Sequence, residues 1–435
     1  MKHTVLLVKI DKSAGGSQNL SFSEPIGICY LSAYLKKNGV DCHLLHIIQG
    51  DDVQDKINAA ITDTKATFVG FSVRNFNFQQ TCTCMREIRS AEPAIELCIG
   101  GECITEENIA ELLQKSNGDF AIISDGEESL LALLTGKDKD SILGVAYRDA
   151  LTGKCIYNPL DNKRVNPAEL PMMDRRDLPM SAYQATAFQG KKYATMHVQR
   201  GCRYRCTFCH TACRYSRSMS RTHTQIIDEI DDLCKHHGIE ALAIWDEDFF
   251  SDVERVKNIA NALIERGSPV EWHTFMKLTD LKASNVKELL PILQKSRYAR
   301  AVIGIESFIP DTLRRYRKVG GPNIGESLQV LTDHKIKISP AYIIGEPHET
   351  KEDITYGLRH LQALKDSGID MDFPYISFLT PFPGTPLYDE YNKRGLLSEK
   401  NWDKYDGEHV VVKCKCPTKT MIKLRNKFFQ HFYGE

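Results

Sequence analysis

The chain has no apolar run approaching the roughly 20 residues that a bilayer-spanning helix needs. Its N-terminus, MKHTVLLVKIDKS, lacks the pattern of a signal peptide. It also lacks net charge: 56 basic residues face 57 acidic ones, a formal balance of −1. That argues against a general nucleic-acid binder, which needs a cationic excess to neutralise phosphates. No peptide-binding repeat and no lipid signature marks a substrate. What is present is ordinary globular material, 42% hydrophobic and 26% charged over 435 residues. That is enough for two or three domains. The 14 cysteines suggest metal or redox chemistry more than a disulfide framework. A cytoplasmic location is expected, since an oxygen-sensitive centre suits a reducing compartment.

Those cysteines concentrate meaning in one stretch, QRGCRYRCTFCH, residues 199–210. Cys202, Cys206 and Cys209 stand at C-x3-C-x2-C spacing behind an apparent strand at 194–199. Soft sulfur ligands on a short loop suit an iron–sulfur cluster. A [4Fe–4S] cube normally takes four thiolates, so three leave one iron open. Cys213 follows four residues later and would close the site if it were a ligand; it is read as a free thiol. A zinc site would want a fourth Cys or His at matching spacing, and His210 is too near in sequence. The spacing, with Phe208 just before the last cysteine, resembles the radical S-adenosylmethionine (SAM) superfamily. The resemblance implies that SAM chelates the open iron and is cleaved to a 5′-deoxyadenosyl radical. The electron would come from an external one-electron reductant of flavodoxin or ferredoxin type.

Upstream, short apolar runs at 5–8, 42–46, 68–73, 97–99 and 120–123 alternate with helical patterns at 26–37, 107–114 and 127–134. Such alternation predicts a doubly wound, Rossmann-like parallel sheet with its ligand beyond the strand C-termini. The strand ends carry Ser72, Arg74 and Asn75, then Gly100, Gly101 and Glu102, then Asp125, Gly126 and Glu127. Glycine lets a ligand approach the backbone, and a helix start favours phosphate or amide groups. Each is also ordinary turn chemistry. Together, EPIGICYLSAYLKKNG, VGFSV, IGGECITEE and SDGEESLLALL resemble the cobalamin-binding domain that precedes the core of cobalamin-dependent radical SAM enzymes. The D-x-H-x-x-G signature is absent, which implies that no histidine reaches the lower cobalt face. Arg74 or Asn75 is expected to face it instead. A hairpin at 145–148 and 154–157 ends this domain at residue 158. Residues 159–190, with four prolines, read as a linker.

From 191 to 397 further strand–helix units follow, with strands at 242–245, 271–276, 301–305, 337–344 and 375–379. About six units predict a partial (β/α)6 barrel whose chemistry lies at the strand C-termini. By resemblance, Asp248 and Glu306 are ribose or methionyl ligands of SAM, and Gly345 belongs to the adenine wall. Arg221 and Lys277 are expected to partner the SAM carboxylate, and Phe208 to line the same site. Helix N-capping is the bland role for the two acids. The short C-terminal extension, 398–435, is polar with an aromatic end. It is the expected seat of substrate selectivity, and Cys414 and Cys416 read as structural.

The fold class is therefore α/β, and the expected cofactors are a [4Fe–4S] cluster, SAM and cobalamin. The resemblance implies a methyltransferase that uses the radical and methylcobalamin to methylate an unactivated carbon of a small-molecule or peptide substrate. Such a carbon has no polar route to methylation. Two alternatives stand beside it. One is a non-methylating cyclase, ring-rearranging or oxidative enzyme of the same group. The other is an N-terminal sheet degenerated into a partner-docking module without cobalamin.

Overall fold

The computed structural model describes residues 3–11, 23–48, 52–149, 151–160, 164–185, 188–215, 217–318 and 323–434. The chain divides into two units, Met1–Tyr183 and Gln184–Glu435. Among the described residues no helix is long and apolar enough to cross a membrane.

The first unit is a seven-stranded sheet. Its strands are β1 (Thr4–Asp11), β2 (Asp41–Ile48), β3 (Phe68–Ser72), β4 (Glu96–Gly100), β5 (Phe120–Ile122), β6 (Val145–Arg148) and β7 (Cys155–Tyr157). The order is β2-β1-β3-β4-β5-β6-β7. The first five run parallel, and the last two form the expected antiparallel hairpin. Residues 5–8 are almost wholly buried, because helices cover both faces of a parallel sheet. The order 2-1-3-4-5 reverses direction between β1 and β3, and a ligand crevice opens at that switch point.

The segment read as a linker is instead built into this unit as far as Tyr183. Asp174 accepts a hydrogen bond from Ser32 at 2.7 Å and pairs with Lys36. Arg175 forms a buried ion pair with Glu24 at 3.3 Å. Tyr183 stacks on His46, with its hydroxyl 2.7 Å from Nδ1. A proline-rich polar pattern carries no sign of such burial, because each partner lies more than 130 residues away.

The second unit continues with β8 (Gln184–Ala185), β9 (Lys191–Met196), β10 (Gln199–Arg200), β11 (Met219–Ser220), β12 (Ala241–Ile244), β13 (Glu271–Lys277), β14 (Tyr298–Glu306), β15 (Lys337–Ile344) and β16 (Tyr375–Phe378). Its curled sheet runs β16-β15-β14-β13-β12-β9-β8. All but β8 are parallel, so six strands make the expected partial barrel. Alternation sets the two faces of β13, whose pairing with β14 shifts register between Trp272 and His273. Trp272 turns to the helical layer, where its Nε1 donates to the Ser296 carbonyl at 3.0 Å. His273, Phe275 and Lys277 therefore face the concave side. The helix His223–His236 starts at a Thr222–Gln225 capping box. The C-terminal extension is a 16-residue helix, Thr418–Tyr433, that buries Met421, Phe428 and Phe432. Lys365, on the helix Lys351–Asp366, lies 3.8 Å over the Phe432 ring.

A candidate metal and radical site

The cysteine loop leaves the C-terminal end of β9. The short ladder of β10 with β11 clamps its ends, pairing Gln199 with Ser220 and Arg200 with Met219. Gly201 makes the closure possible. Its φ is +88°, and a Cβ there would lie 2.5 Å from the Arg217 carbonyl oxygen. Thr207 then ties the loop to the end of the helix Pro310–Arg315. Its hydroxyl donates to the Arg315 carbonyl at 2.8 Å and its N–H to that of Tyr316 at 3.3 Å. Phe208 packs edge-on against Tyr316, ring centroids 4.9 Å apart. It is thus an anchor in the core under the loop as well as a neighbour of the thiols.

Cys202 is buried, Cys206 and Cys209 are half-buried, and Cys213 is exposed. The Cys213 thiol donates to the Cys209 carbonyl at 3.5 Å, an ordinary bond within a helical turn. Burial raises the pKa of all three loop thiols. Lys277 opposes this at Cys202 and Lys318 at Cys206. Such thiols ionise only when a cation or metal offsets desolvation. The donor set is soft, carried on one short loop and flanked by two ammonium groups, which fits an iron–sulfur cluster.

Around the loop, Asp248 is fully buried and bonded to two cations. Lys277 Nζ lies 2.5 Å from its Oδ1, and Arg203 Nε 3.3 Å from its Oδ2. Lys277 also donates to the Glu247 carbonyl at 2.9 Å and lies over the Tyr204 ring. Glu306 ends β14 at a register shift, with φ at +64°. A buried acid held in the left-handed region stores strain, and such strain clusters at working sites. Its carboxylate folds back over Gly304 and pairs with Lys318 at 2.9 Å. Gly345, φ +102°, donates its N–H to Glu349 Oε2 at 2.8 Å. Burial lifts the Glu349 carboxyl to about 7.

Arg221 is a correction. Its guanidinium is enclosed, 2.6 Å from Glu229, and donates to the carbonyls of His197 and Gln225. It is committed to the helix that it precedes and does not present itself to a ligand carboxylate. The sequence shows the basic residue, but not that Glu229, two helical turns on, folds back to meet it. Sequence reasoning passed over Lys318, in the polar run RRYRK, and Arg203 inside the motif itself. Cys414 donates to the carbonyls of Glu346 and Glu349, and this agrees with a structural role.

In the first unit the expected residues do gather at one sheet edge. Ser72 pairs in register with Gly100. Arg74 pairs with Glu102 at 3.1 Å, both half exposed. At Gly101, φ +136°, a Cβ would lie 2.2 Å from the Val73 carbonyl oxygen. Its lack of a side chain serves backbone packing between two loops, while a Cβ at Gly100 would make only ordinary contact, 3.9 Å from the Ile122 carbonyl oxygen. Asp125 accepts from the Val165 N–H at 3.3 Å, and so holds the strap. Gly126 caps the helix Glu127–Leu134, and Glu127 is buried. Asn75 Oδ1, Thr105 Oγ1 and Ser124 Oγ are buried at these strand ends without a hydrogen-bond partner among the described residues. Three such oxygens suit a ligand rich in amide groups, which the corrin ring of cobalamin is.

Sheet and half-barrel together define a two-part α/β enzyme, with a crevice for a large cofactor in one part and a thiolate loop in the other. Comparison with known proteins is specific about which. Residues 196–361 match the model of the Radical SAM superfamily, and residues 20–134 that of the B12 binding domain. An uncharacterized methyltransferase of Pyrococcus horikoshii is 24% identical over 420 residues, covering 94% of this chain and 87% of the relative. The anaerobic magnesium-protoporphyrin IX monomethyl ester cyclase of Rubrivivax gelatinosus is 24% identical over 419 residues, covering 94% and 73%. The fold is that of the radical SAM methyltransferase TsrM from Kitasatospora setae, with TM-score 0.74 and 17% identity over 92% of this chain and 79% of that one. OxsB, a cobalamin-dependent SAM radical enzyme, gives TM-score 0.76 at 17% identity over 98% and 66%. The chain belongs to the cobalamin-dependent radical SAM enzymes. The cofactors of that family are a [4Fe–4S] cluster, SAM and cobalamin.

Proposed function

We propose that this enzyme methylates an unactivated carbon of a small molecule or peptide, drawing electrons from a flavodoxin- or ferredoxin-type donor. The observation that carries the reading is the trio of thiols at the mouth of a six-stranded parallel half-barrel, in a chain that also has a cobalamin-type sheet. Relatives named as methyltransferases support it. The bound cofactors would supply one-electron chemistry and a transferable methyl group.

The chain's own residues do the positioning. Cys202, Cys206 and Cys209 would hold three irons, with Lys277 and Lys318 offsetting thiolate charge. The Thr207 and Phe208 anchors keep the loop from shifting, and the strained Glu306 and the Gly345 turn face the same mouth. Asp248 acts through Lys277 and Arg203, holding both cations at the loop. In the first unit, Ser72, Asn75, Gly100, Thr105 and Ser124 offer polar edges to the corrin amides. Arg74, tethered by Glu102, places a cation near the expected lower cobalt face.

Anaerobic reconstitution tests this. Replacing any of Cys202, Cys206 and Cys209 by Ala should abolish bound iron and 5′-deoxyadenosine, while Cys213→Ala should leave both. Deoxyadenosine formation by the loop variants would refute the cluster. Methylated product with S-adenosylhomocysteine marks methyl transfer. A second reading, a non-methylating cyclase, draws on the cyclase relative that matches over nearly the whole chain; deoxyadenosine without either methyl-transfer product favours it. No corrinoid absorbance at saturating hydroxocobalamin would sink both in favour of a docking module.

A further inference from the structure

The turn that follows β15, residues 345–349, is held from one side by the C-terminal segment. Its two flanks are rigid. β15 is an inner strand of the curled sheet, paired with β14 and β16. The helix Lys351–Asp366 starts at a Thr350–Asp353 capping box. Between them the chain bends at Gly345, and the N–H groups of Gly345 and Glu346 both go to Glu349 Oε2, at 2.8 and 3.1 Å.

The carbonyls of the same turn go to residues 414–416. The Lys415 N–H donates to Pro347 at 3.1 Å and the Cys416 N–H to Glu349 at 3.0 Å. The Cys414 thiol lies 3.0 Å from the Glu346 carbonyl oxygen and 3.3 Å from that of Glu349, so its single proton is shared between them. Burial pushes this thiol up to about 12, and it therefore stays a donor at any neutral pH. The Cys416 thiol, by contrast, reaches only the adjoining Pro417 carbonyl, at 4.0 Å. Met421, in the first turn of the last helix, lies over Gly345, its sulfur 3.6 Å from where a Cβ would stand.

Glu346 carries this clamp further. Its carboxylate, 1% exposed, accepts from the Tyr391 hydroxyl at 2.6 Å and lies 3.7 Å from Arg315 Nε. The Arg315 carbonyl is in turn the acceptor for Thr207 on the cysteine loop. Two residues, Glu346 and Arg315, thus join the Cys414 thiol to that loop.

We propose that Cys414 is a positioning residue for SAM. Its thiol, with the two backbone bonds beside it, fixes the turn at 345–349 on which the adenine portion of the cofactor rests. The C-terminal segment then completes the cofactor site. The inference rests on the reading of Gly345 as part of the adenine wall.

The test uses the full chain, reconstituted anaerobically with its cluster. Formation of 5′-deoxyadenosine with dithionite is followed against SAM concentration. In Cys414→Ala the KM for SAM should rise about fivefold, the worth of one net hydrogen bond, with kcat and iron content unchanged. The SAM concentration that half-converts the EPR signal of the reduced cluster should rise by the same factor. Cys414→Ser keeps a donor and should restore the parent KM. Cys416→Ala removes a neighbouring buried thiol but keeps its N–H, and should leave KM unchanged. A KM indifferent to Cys414→Ala, or raised equally by Cys414→Ser or Cys416→Ala, overturns the proposal. If Cys414→Ala loses its iron, Cys414→Val, of closer volume and without a donor, takes its place. Loss of iron from all three Cys414 variants also overturns it, since the residue would then serve the loop and not the cofactor turn. A parent with cluster but no deoxyadenosine condemns the functional reading. An active parent whose KM ignores Cys414 condemns this inference alone.

Discussion

Arg221 offers the sharpest test of how this site is built. Its side chain and that of Glu229 are 1% and 0% exposed, with nitrogen and oxygen 2.6 Å apart. Arg221→Met leaves the Glu229 carboxylate buried with its main counter-charge gone. Breaking one side of a buried pair costs about 3–5 kcal/mol. With an m-value of about 3 kcal/mol/M in urea, the midpoint of the second unit should fall by about 1–1.7 M. The double variant Arg221→Met with Glu229→Met removes both charges and should recover most of the loss, since a well-packed apolar replacement is often neutral. If Arg221 is purely structural, the double variant binds SAM within about threefold of the parent. The opposite result would refute the reasoning. That result is a single variant with an unchanged midpoint and SAM binding weakened tenfold, about 1.4 kcal/mol. Arg221 would then be a ligand of the SAM carboxylate after all.

The remaining predictions concern strain, titration and the two sites. Gly101→Ala places a Cβ 2.2 Å from the Val73 carbonyl oxygen at φ +136°; it should cost more than about 3 kcal/mol and lower the melting temperature of the first unit, with cobalamin binding lost alongside. Glu349 titrates at about 7 in the folded chain because it is buried, against an ordinary value of 4.5. The folded state therefore prefers the protonated acid, so its stabilisation is complete below pH 4.5 and is lost as pH rises to 7. The loss is about 3 kcal/mol at 1.4 kcal/mol per unit. Glu349→Gln should flatten that fall in urea titrations at pH 5 and 8, and a parent whose stability rises across this window relative to the variant would contradict it. The loop-cysteine substitutions above complete the set, read by iron content and deoxyadenosine.

Much of the molecule was legible from residue order. Short apolar runs alternating with 3.6-period segments specify parallel sheets, because only a crossover helix can return the chain to a parallel neighbour. Both sheets and the hairpin at 145–157 follow from that. C-x3-C-x2-C specifies a metal loop because ligands so near in sequence can converge without help from the rest of the fold. The C-terminal helix was less visible: Met421, Phe428 and Phe432 are only three anchors in a polar run, and their groove lies on a helix more than 50 residues earlier.

Sequence alone thus specified the two-part α/β architecture and put three thiols on one short loop, since both depend on interactions local to a strand–helix unit or a single loop. Tertiary structure decided which charges are spent and which are offered. Arg221 goes to Glu229, Asp248 to Lys277 and Arg203, and the strap at 164–183 to the first sheet. It also left Trp245 Nε1 and His273 Nδ1 buried without a hydrogen-bond partner among the described residues. Those outcomes turn on distance and burial between residues far apart in the chain, and the free energy of a buried charge or an orphaned N–H depends on just those two quantities.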